Sequence, residues 1–122
     1  MKTLILAFSL LSLPAFADKD VHPVLYVISN TNNLVGEVVS VSGSVTKVTE
    51  DGFSMSSFIV WLDGQIFVRL PMPSGGKWHN GVLRTGKTPY LSLGDEIIVR
   101  GAFKLEGVRR ELQNARLVSK LE

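Results

Sequence analysis

The stretch FIVWLDGQIFVRL, residues 58–70, decides the fold of this chain. It contains two short runs rich in β-branched and aromatic residues, separated by Asp63-Gly64. Such runs are typical of β-strands, and an Asp-Gly pair between them is typical of a two-residue type I′ hairpin. The stretch therefore predicts two antiparallel strands joined by a tight turn.

A two-residue turn at Asp63-Gly64 also predicts which side chains share a face of the sheet. It places Leu62 opposite Gln65 and Trp61 opposite Ile66. Side chains alternate across a sheet, so each strand contributes every second residue to one face. The predicted core face consists of Ile59, Trp61, Ile66, Val68 and Leu70. The predicted outward face consists of Phe58, Val60, Leu62, Gln65, Phe67 and Arg69.

Further strands are predicted on both sides of this hairpin. The first is LVGEVVSVSGSVTKVTE (34–50), in which Gly43 and a slip of the alternation at Val48 indicate a bend or a bulge. After an Asp51-Gly52 turn, the second strand spans 53–62 and the third spans 65–70. The fourth lies within LSLGDEIIVRGAF (91–103), and the fifth within 109–120. Residues 24–29 form either a short extra strand or a packed tail.

Residues 71–92 interrupt the strand pattern. They contain three prolines and four glycines, which is the composition of a loop. A loop of this length in a small domain is uncommon and is often functional.

The strand order is similar to that of the OB-fold, a five-stranded, partly open Greek-key barrel. The resemblance covers residues 34–120 and rests on GEVVSVSGSV, FIVWLDGQIFVRL and LSLGDEIIVRGAF. It is closest to OB domains of the tRNA-anticodon-binding type, whose fourth strand commonly begins with a Leu-x-x-Gly-Asp phrase, here Leu91, Gly94 and Asp95. We therefore predict an all-β fold: a five-stranded OB-fold Greek-key barrel with a long Pro/Gly-rich loop between strands 3 and 4. That loop replaces the helix usual in the family.

The first twenty residues, MKTLILAFSLLSLPAFADKD, resemble a Sec-type signal peptide. Lys2 supplies a positive start, an apolar run follows, and Ala15-Phe16-Ala17 is a suitable cleavage site. The alternative is a buried N-terminal helix. We expect a signal peptide at 1–17, an N-terminal extension at 18–33 and an OB-fold domain at 34–122. This organisation predicts a periplasmic protein, or secondly a secreted one, with no membrane span after cleavage.

The segment GVLRTGKT (81–88) matches the P-loop pattern G-x-x-x-x-G-K-T. A working P-loop follows a buried strand and opens a helix whose N-terminus binds phosphates. Here no strand is predicted before Gly81, and Pro89 disfavours helical geometry at Thr88. We interpret the segment as a flexible loop that carries Lys77, Arg84 and Lys87.

The residue content argues against catalysis and against a cofactor. His22 and His79 are far apart in sequence, and the chain has no nucleophile elbow and no zinc-protease motif. The absence of cysteine excludes a thiolate-bound structural zinc. We expect no enzymatic activity, no metal and no cofactor.

The resemblance to OB-folds implies a ligand site on the outer face of strands two and three. Aromatic side chains there stack on bases, and nearby cations follow the phosphates. Arg109, Arg110 and Arg116 on strand five extend a basic stripe, unless that stripe is only a solvated strand face. The predicted ligand-binding residues are Phe58, Phe67, Arg69, Lys77, Trp78, Arg84, Lys87, Arg100 and Arg110.

The charge distribution is uneven although the net charge is only +2. Residues 18–68 carry two Lys or Arg against six Asp or Glu, whereas residues 69–122 carry ten against five. A basic second half favours an anionic partner, unless the fold mixes the two halves. We expect an exported, non-catalytic OB-fold module that binds single-stranded nucleic acid.

Two alternatives remain open at this point. In the first, the chain is a protein-interaction subunit of a periplasmic or envelope assembly. In the second, it binds an oligosaccharide or a small anion. A further alternative is that residues 18–33 or the long loop cover the outer aromatic face.

Overall fold

A computed structural model describes residues 21–121, which form an all-β fold with two short helices near its start. The predicted signal peptide, residues 1–17, lies outside the described residues. The elements in chain order are β1 (Val21–Pro23), α1 (Val24–Ser29), α2 (Thr31–Leu34), β2 (Val38–Glu50), β3 (Ser57–Leu62), β4 (Ile66–Pro71), β5 (Gly76–His79), β6 (Val82–Thr85), β7 (Thr88–Pro89), β8 (Glu96–Glu106) and β9 (Arg109–Leu121).

Five strands close into a barrel in the order β2-β3-β4-β9-β8, with β8 pairing back onto β2. All neighbouring pairs in this barrel are antiparallel except β4 and β9, which are parallel. The predicted five-stranded, OB-like barrel is confirmed. Closure pairs the backbone of every barrel strand on both sides, so no barrel strand is left as an open edge.

The long first barrel strand bends as its sequence predicts. Residues 38–44 of β2 pair with β8, the second half pairs with β3, and the register shifts between Val45 and Lys47. Gly43 lies just before this shift, where a Cβ atom would be 2.8 Å from Val24 Cγ2 of α1. The glycine therefore lets the N-terminal segment pack directly on the strand.

The core fills the barrel and extends to both flanking segments. Val24 and Val27 of α1 are buried in it, so residues 24–29 are a packed helix rather than an extra strand. Gly94 has φ +92°, and Gly94-Asp95 leads into the fourth barrel strand as predicted, with Leu91 buried beneath it. None of the helices within residues 21–121 is long and apolar enough to span a membrane.

The β3–β4 hairpin differs from its predicted register by one residue. Asp63 and Gly64 both have positive φ, 52° and 65°, and the Gln65 amide donates to the Leu62 carbonyl at 2.8 Å, so the predicted tight turn is present. Gln65, however, remains in the turn, and Leu62 pairs with Ile66 instead. Asp63 contributes to this geometry because it is bound to β2: its amide donates to the Ser44 carbonyl, and its Oδ1 accepts from the Ser44 amide.

This shift inverts the faces of β3, because one residue of slip moves every side chain of a strand to the other face. The predicted outward position of Phe58 is wrong: its side chain is 0 % exposed and packs in the core. Val60 and Leu62 are also buried, whereas Ile59 and Trp61 lie outside, contrary to prediction. The faces of β4 are as predicted, with Phe67 and Arg69 on its outer side.

The Pro/Gly-rich segment between β4 and β8 contains a three-stranded antiparallel sheet, β5-β6-β7, called the meander below. Trp78 pairs with Leu83, and these two side chains face the barrel; Leu83 is buried in the core. The predicted loop is therefore an ordered element anchored by an apolar inner face.

Candidate ligand-binding face

The outer surface of β3 and β4 carries a compact group of large side chains. We call Trp61, Phe67, Arg69 and Arg109 the aromatic face. Trp61 pairs with Phe67 across the β3–β4 ladder, and their rings meet edge to face with centroids 5.4 Å apart. Such pairs contribute about 0.5–1.5 kcal/mol beyond their buried area.

Two arginines cover Phe67 from the solvent side. Arg109 Cζ lies 4.1 Å from the centroid of the Phe67 ring, and Arg69 Cζ lies 5.3 Å from it. Phe67 is therefore only 5 % exposed, although it points away from the core. The accessible surfaces are the half-buried Trp61 indole and the two arginine side chains, which are 42 % exposed at Arg109 and 36 % exposed at Arg69.

Arg69 is fixed by a buried carboxylate. Its Nε donates to Asp51 Oδ2 at 2.7 Å, and the Ser57 hydroxyl donates to the same oxygen at 2.5 Å. Asp51 Oδ1 accepts from the Phe53 amide at 2.9 Å. The Ser57 hydroxyl, then the Phe53 amide and Arg69, lower the pKa of Asp51 against the opposing effect of burial. Asp51 thus ties the β2–β3 loop to the aromatic face.

Arg109 is fixed in a similar way from the other side. Its Nη2 lies 2.6 Å from Glu111 Oε2, and Gln113 Nε2 donates to Glu111 Oε1 at 3.1 Å. Glu111 is buried and lies opposite Phe67 in the parallel β4–β9 pairing. The stacked arginine is therefore held in place before any ligand arrives.

A transverse row of residues crosses this side of the barrel. Strand pairing places Lys47 beside Trp61, Trp61 beside Phe67, and Phe67 beside Glu111. Lys47 is exposed. Asp51 neutralises Arg69 and Glu111 neutralises Arg109, so Lys47 supplies the remaining charge. The formal charge of this side of the barrel is therefore about +1, which gives only a weak attraction for anions.

Two loops flank this face with exposed apolar side chains. Phe53 and Met55 of the β2–β3 loop are 93 % and 98 % exposed, and Val108 of the β8–β9 loop is 96 % exposed. In OB-folds these two loops contribute to ligand binding together with the outer face.

Comparison with known proteins gives no further guide to the ligand. The family models, the curated proteins and the solved structures with which it was compared all gave no match.

The structure brings together only part of the predicted site. Phe67 and Arg69 lie on the aromatic face, whereas Phe58 is excluded by its position in the core. Arg100 lies on β8 and donates to the Ser40 hydroxyl at 2.9 Å. Arg110 is the second residue of β9, and its Nε donates to the Thr31 hydroxyl of α2 at 2.9 Å.

The remaining predicted residues belong to the meander. Lys77 and Arg84 face outward on its strands, and Lys87 is exposed in the following turn. Trp78 is half-buried against the core, so much of its ring is not available to a ligand. The cations of the meander therefore form a group of their own.

Sequence reasoning missed two members of the aromatic face. The sequence predicts Trp61 in the core because it does not reveal that Gln65 stays in the turn, and it predicts Arg109 only as part of a basic stripe. No local sequence signal indicates Arg109, because its position depends on the parallel pairing of residues 110–112 with β4. Within the described part of the chain, no three His, Asp or Glu side chains cluster as a metal site would require.

Proposed function

We propose that this chain is an exported, non-catalytic OB-fold module that binds single-stranded nucleic acid on the aromatic face. The observation that carries the proposal is the packing of Trp61, Phe67 and Arg109 on the outer surface of β3, β4 and β9. Bases stack on aromatic rings and on guanidinium planes. One half-exposed indole and one stacked guanidinium provide two such surfaces side by side.

Pre-organisation supports this role. Asp51 and Glu111 hold Arg69 and Arg109 in fixed positions, so a ligand would not have to order these long side chains. Ordering a flexible side chain on binding costs about 0.5–1.5 kcal/mol. The same carboxylates neutralise much of the positive charge, so stacking rather than charge supplies most of the affinity.

The proposed export rests on the signal-peptide pattern at residues 1–17, and the non-catalytic role rests on the absence of catalytic motifs from the sequence. Mass spectrometry of the chain recovered from an expressing bacterium tests the first of these. We expect a mature N-terminus at Asp18. An intact Met1 would contradict export through a cleaved signal peptide.

Fluorescence anisotropy with a labelled oligo-dT of about 12–16 nucleotides, near the upper site size of one OB-fold, tests the binding proposal. We expect saturable binding at low salt and a loss of about 5- to 150-fold in affinity for Trp61→Ala, because stacking contributes about 1–3 kcal/mol per base. The matched control is Tyr26→Ala, since Tyr26 is an exposed aromatic on α1 and is not part of the aromatic face. Equal losses in both variants, or no binding at low salt, would refute the proposal.

The salt dependence adds a second criterion. For single strands, log affinity falls with log salt at a slope of about −0.7 for each neutralised phosphate. If only Lys47 counts, affinity falls about 3-fold between about 50 and 200 mM salt; if Arg69 and Arg109 also count, it falls about 20-fold. An affinity that does not change with salt concentration would instead favour an apolar ligand.

A protein partner is the second candidate function, and the exposed Phe53 and Met55 favour it. Apolar side chains presented at a loop tip are typical of contact surfaces. On this alternative, association with the partner tolerates salt and is weakened by Phe53→Ser, while Trp61→Ala has little effect.

A further inference from the structure

We propose that the outward face of the meander is a separate binding site for a phosphate-bearing anion. The proposal goes beyond nucleic-acid binding at the aromatic face and does not depend on it. The meander closes a shallow pocket of about 500 Å³. The pocket is lined by Gly75, Lys77, Trp78, His79, Arg84 and Gly86.

Two cations lie directly opposite each other in the meander. Lys77 pairs with Arg84 across the β5–β6 ladder, so both side chains leave the same face of this small sheet. Directly opposed residues have Cβ atoms about 4.5–5.5 Å apart, and like charges in that position are destabilising. A bound anion would convert this repulsion into two favourable contacts.

No carboxylate within residues 21–121 forms an ion pair with Lys77 or Arg84. Within residues 21–121 the ion pairs use Arg69, Arg109 and Lys120, and none of the residues lining the pocket carries a carboxylate. His79 pairs with Val82 and extends the same outward face. The pocket therefore offers hydrogen-bond donors and positive charge, and no acidic side chain in its lining competes with an anion for them.

The strands that carry the pocket are anchored to the barrel. Trp78 and Leu83, on the inner face of the same two strands, pack against the core. Arg84 donates through Nη2 to the carbonyl of Lys87, which orients its guanidinium at the turn. Gly75 and Gly86 occupy turns with positive φ and add no side chain to the pocket.

These features favour phosphate among anions. Arginine presents a planar fork of donors that matches phosphate oxygens, and lysine contributes a point charge to the same group. A multiply charged, tetrahedral group can contact both cations at once. The phosphate belongs either to a free phosphorylated compound or to a nucleic-acid backbone.

Trp78 provides a built-in reporter because the chain has only two tryptophans. In a Trp61→Phe background, titration with pyrophosphate should change the Trp78 emission saturably, beyond any change with sodium chloride at equal ionic strength. Adding Lys77→Gln or Arg84→Gln should weaken binding about tenfold, the scale of one charge-assisted contact. Lys104→Gln, which removes a cation from β8, should leave the affinity unchanged.

Calorimetry measures pyrophosphate binding on the wild-type chain, without the Trp61→Phe substitution. Absence of saturable binding in calorimetry, an equal response to chloride, or an equal loss in Lys104→Gln would each overturn the proposal. Competition by oligo-dT would assign the phosphate to nucleic acid, and lack of competition would assign it to a free phosphorylated compound; both results support the site. Failure of Trp61→Ala to weaken oligo-dT binding would count against the aromatic face alone.

Discussion

Truncation of Phe58 tests the register of the β3–β4 hairpin, on which the aromatic face depends. Phe58 is fully buried, lies opposite Leu70, and meets Tyr90 edge to face with centroids 5.9 Å apart. Removing a buried phenylalanine ring costs about 3–5 kcal/mol, since both transfer energy and cavity formation contribute. We therefore expect Phe58→Ala to lower the free energy of unfolding by about that amount.

The matched substitution is Trp61→Ala on the other face of the same strand. Trp61 is half-buried and packs mainly on Phe67, so its loss should cost about 1–2 kcal/mol, less than a buried ring. Urea unfolding followed by far-UV circular dichroism measures both variants without relying on tryptophan emission. A larger loss for Trp61→Ala than for Phe58→Ala would refute the register and with it the composition of the aromatic face.

Three further predictions follow from other contacts. Asp51→Asn should destabilise the fold at pH 7 but by less near pH 3. Hydrogen-bond partners hold the pKa of Asp51 in the folded state below its ordinary value of 3.8. The carboxylate therefore stabilises the fold above pH 3.8, and this contribution is lost as the pH falls through the lowered pKa of the folded state. Unfolding free energies at the two pH values check this, and an equal difference at both would contradict it. Gly43→Ala should lower the free energy of unfolding by about 1–3 kcal/mol, because its Cβ would meet Val24 at 2.8 Å. Gly52→Ala should have little effect, because the space around Gly52 is open. Thermal denaturation compares the two variants, and equal effects would contradict the packing of Val24 on Gly43. Glu111→Gln should weaken oligo-dT binding because Arg109 loses its ion pair and its fixed position over Phe67, while Glu37→Gln, just before β2, should not. Anisotropy distinguishes the two variants, and similar affinities would show that the position of Arg109 is unimportant.

The barrel was predictable because its strands carry strong local signals. β4 alternates clearly, with Ile66, Val68 and Leu70 against Phe67 and Arg69, so its two faces follow from the sequence alone. The Gly94-Asp95 phrase and the slip after Gly43 likewise mark a turn and a bulge that the structure contains.

The faces of β3 were not predictable from alternation because this strand is apolar on both sides. Phe58, Val60 and Leu62 make as good a core face as Ile59 and Trp61, and only the turn decides between them. The deciding residue, Gln65, stays in the turn because the hydrogen bonds between Asp63 and Ser44 tie that turn to β2. Those partners are 19 residues apart and leave no local pattern.

The candidate site was predictable only in part for the same reason. Phe67 and Arg69 follow from the pattern of β4, but the position of Arg109 depends on the parallel pairing of β4 with β9, a contact distant in sequence. The strands of the meander are only two to four residues long, too short for periodicity to distinguish them from loop.

Nuclear magnetic resonance of the two indole N–H groups locates a bound oligonucleotide on the surface of this chain. On addition of oligo-dT at low salt, the Trp61 indole signal and the backbone amides of Phe67 and Arg69 should shift together and saturate together. Unchanged signals at these three residues, with shifts confined to Phe53 and Met55 or absent throughout, would contradict nucleic-acid binding on the aromatic face.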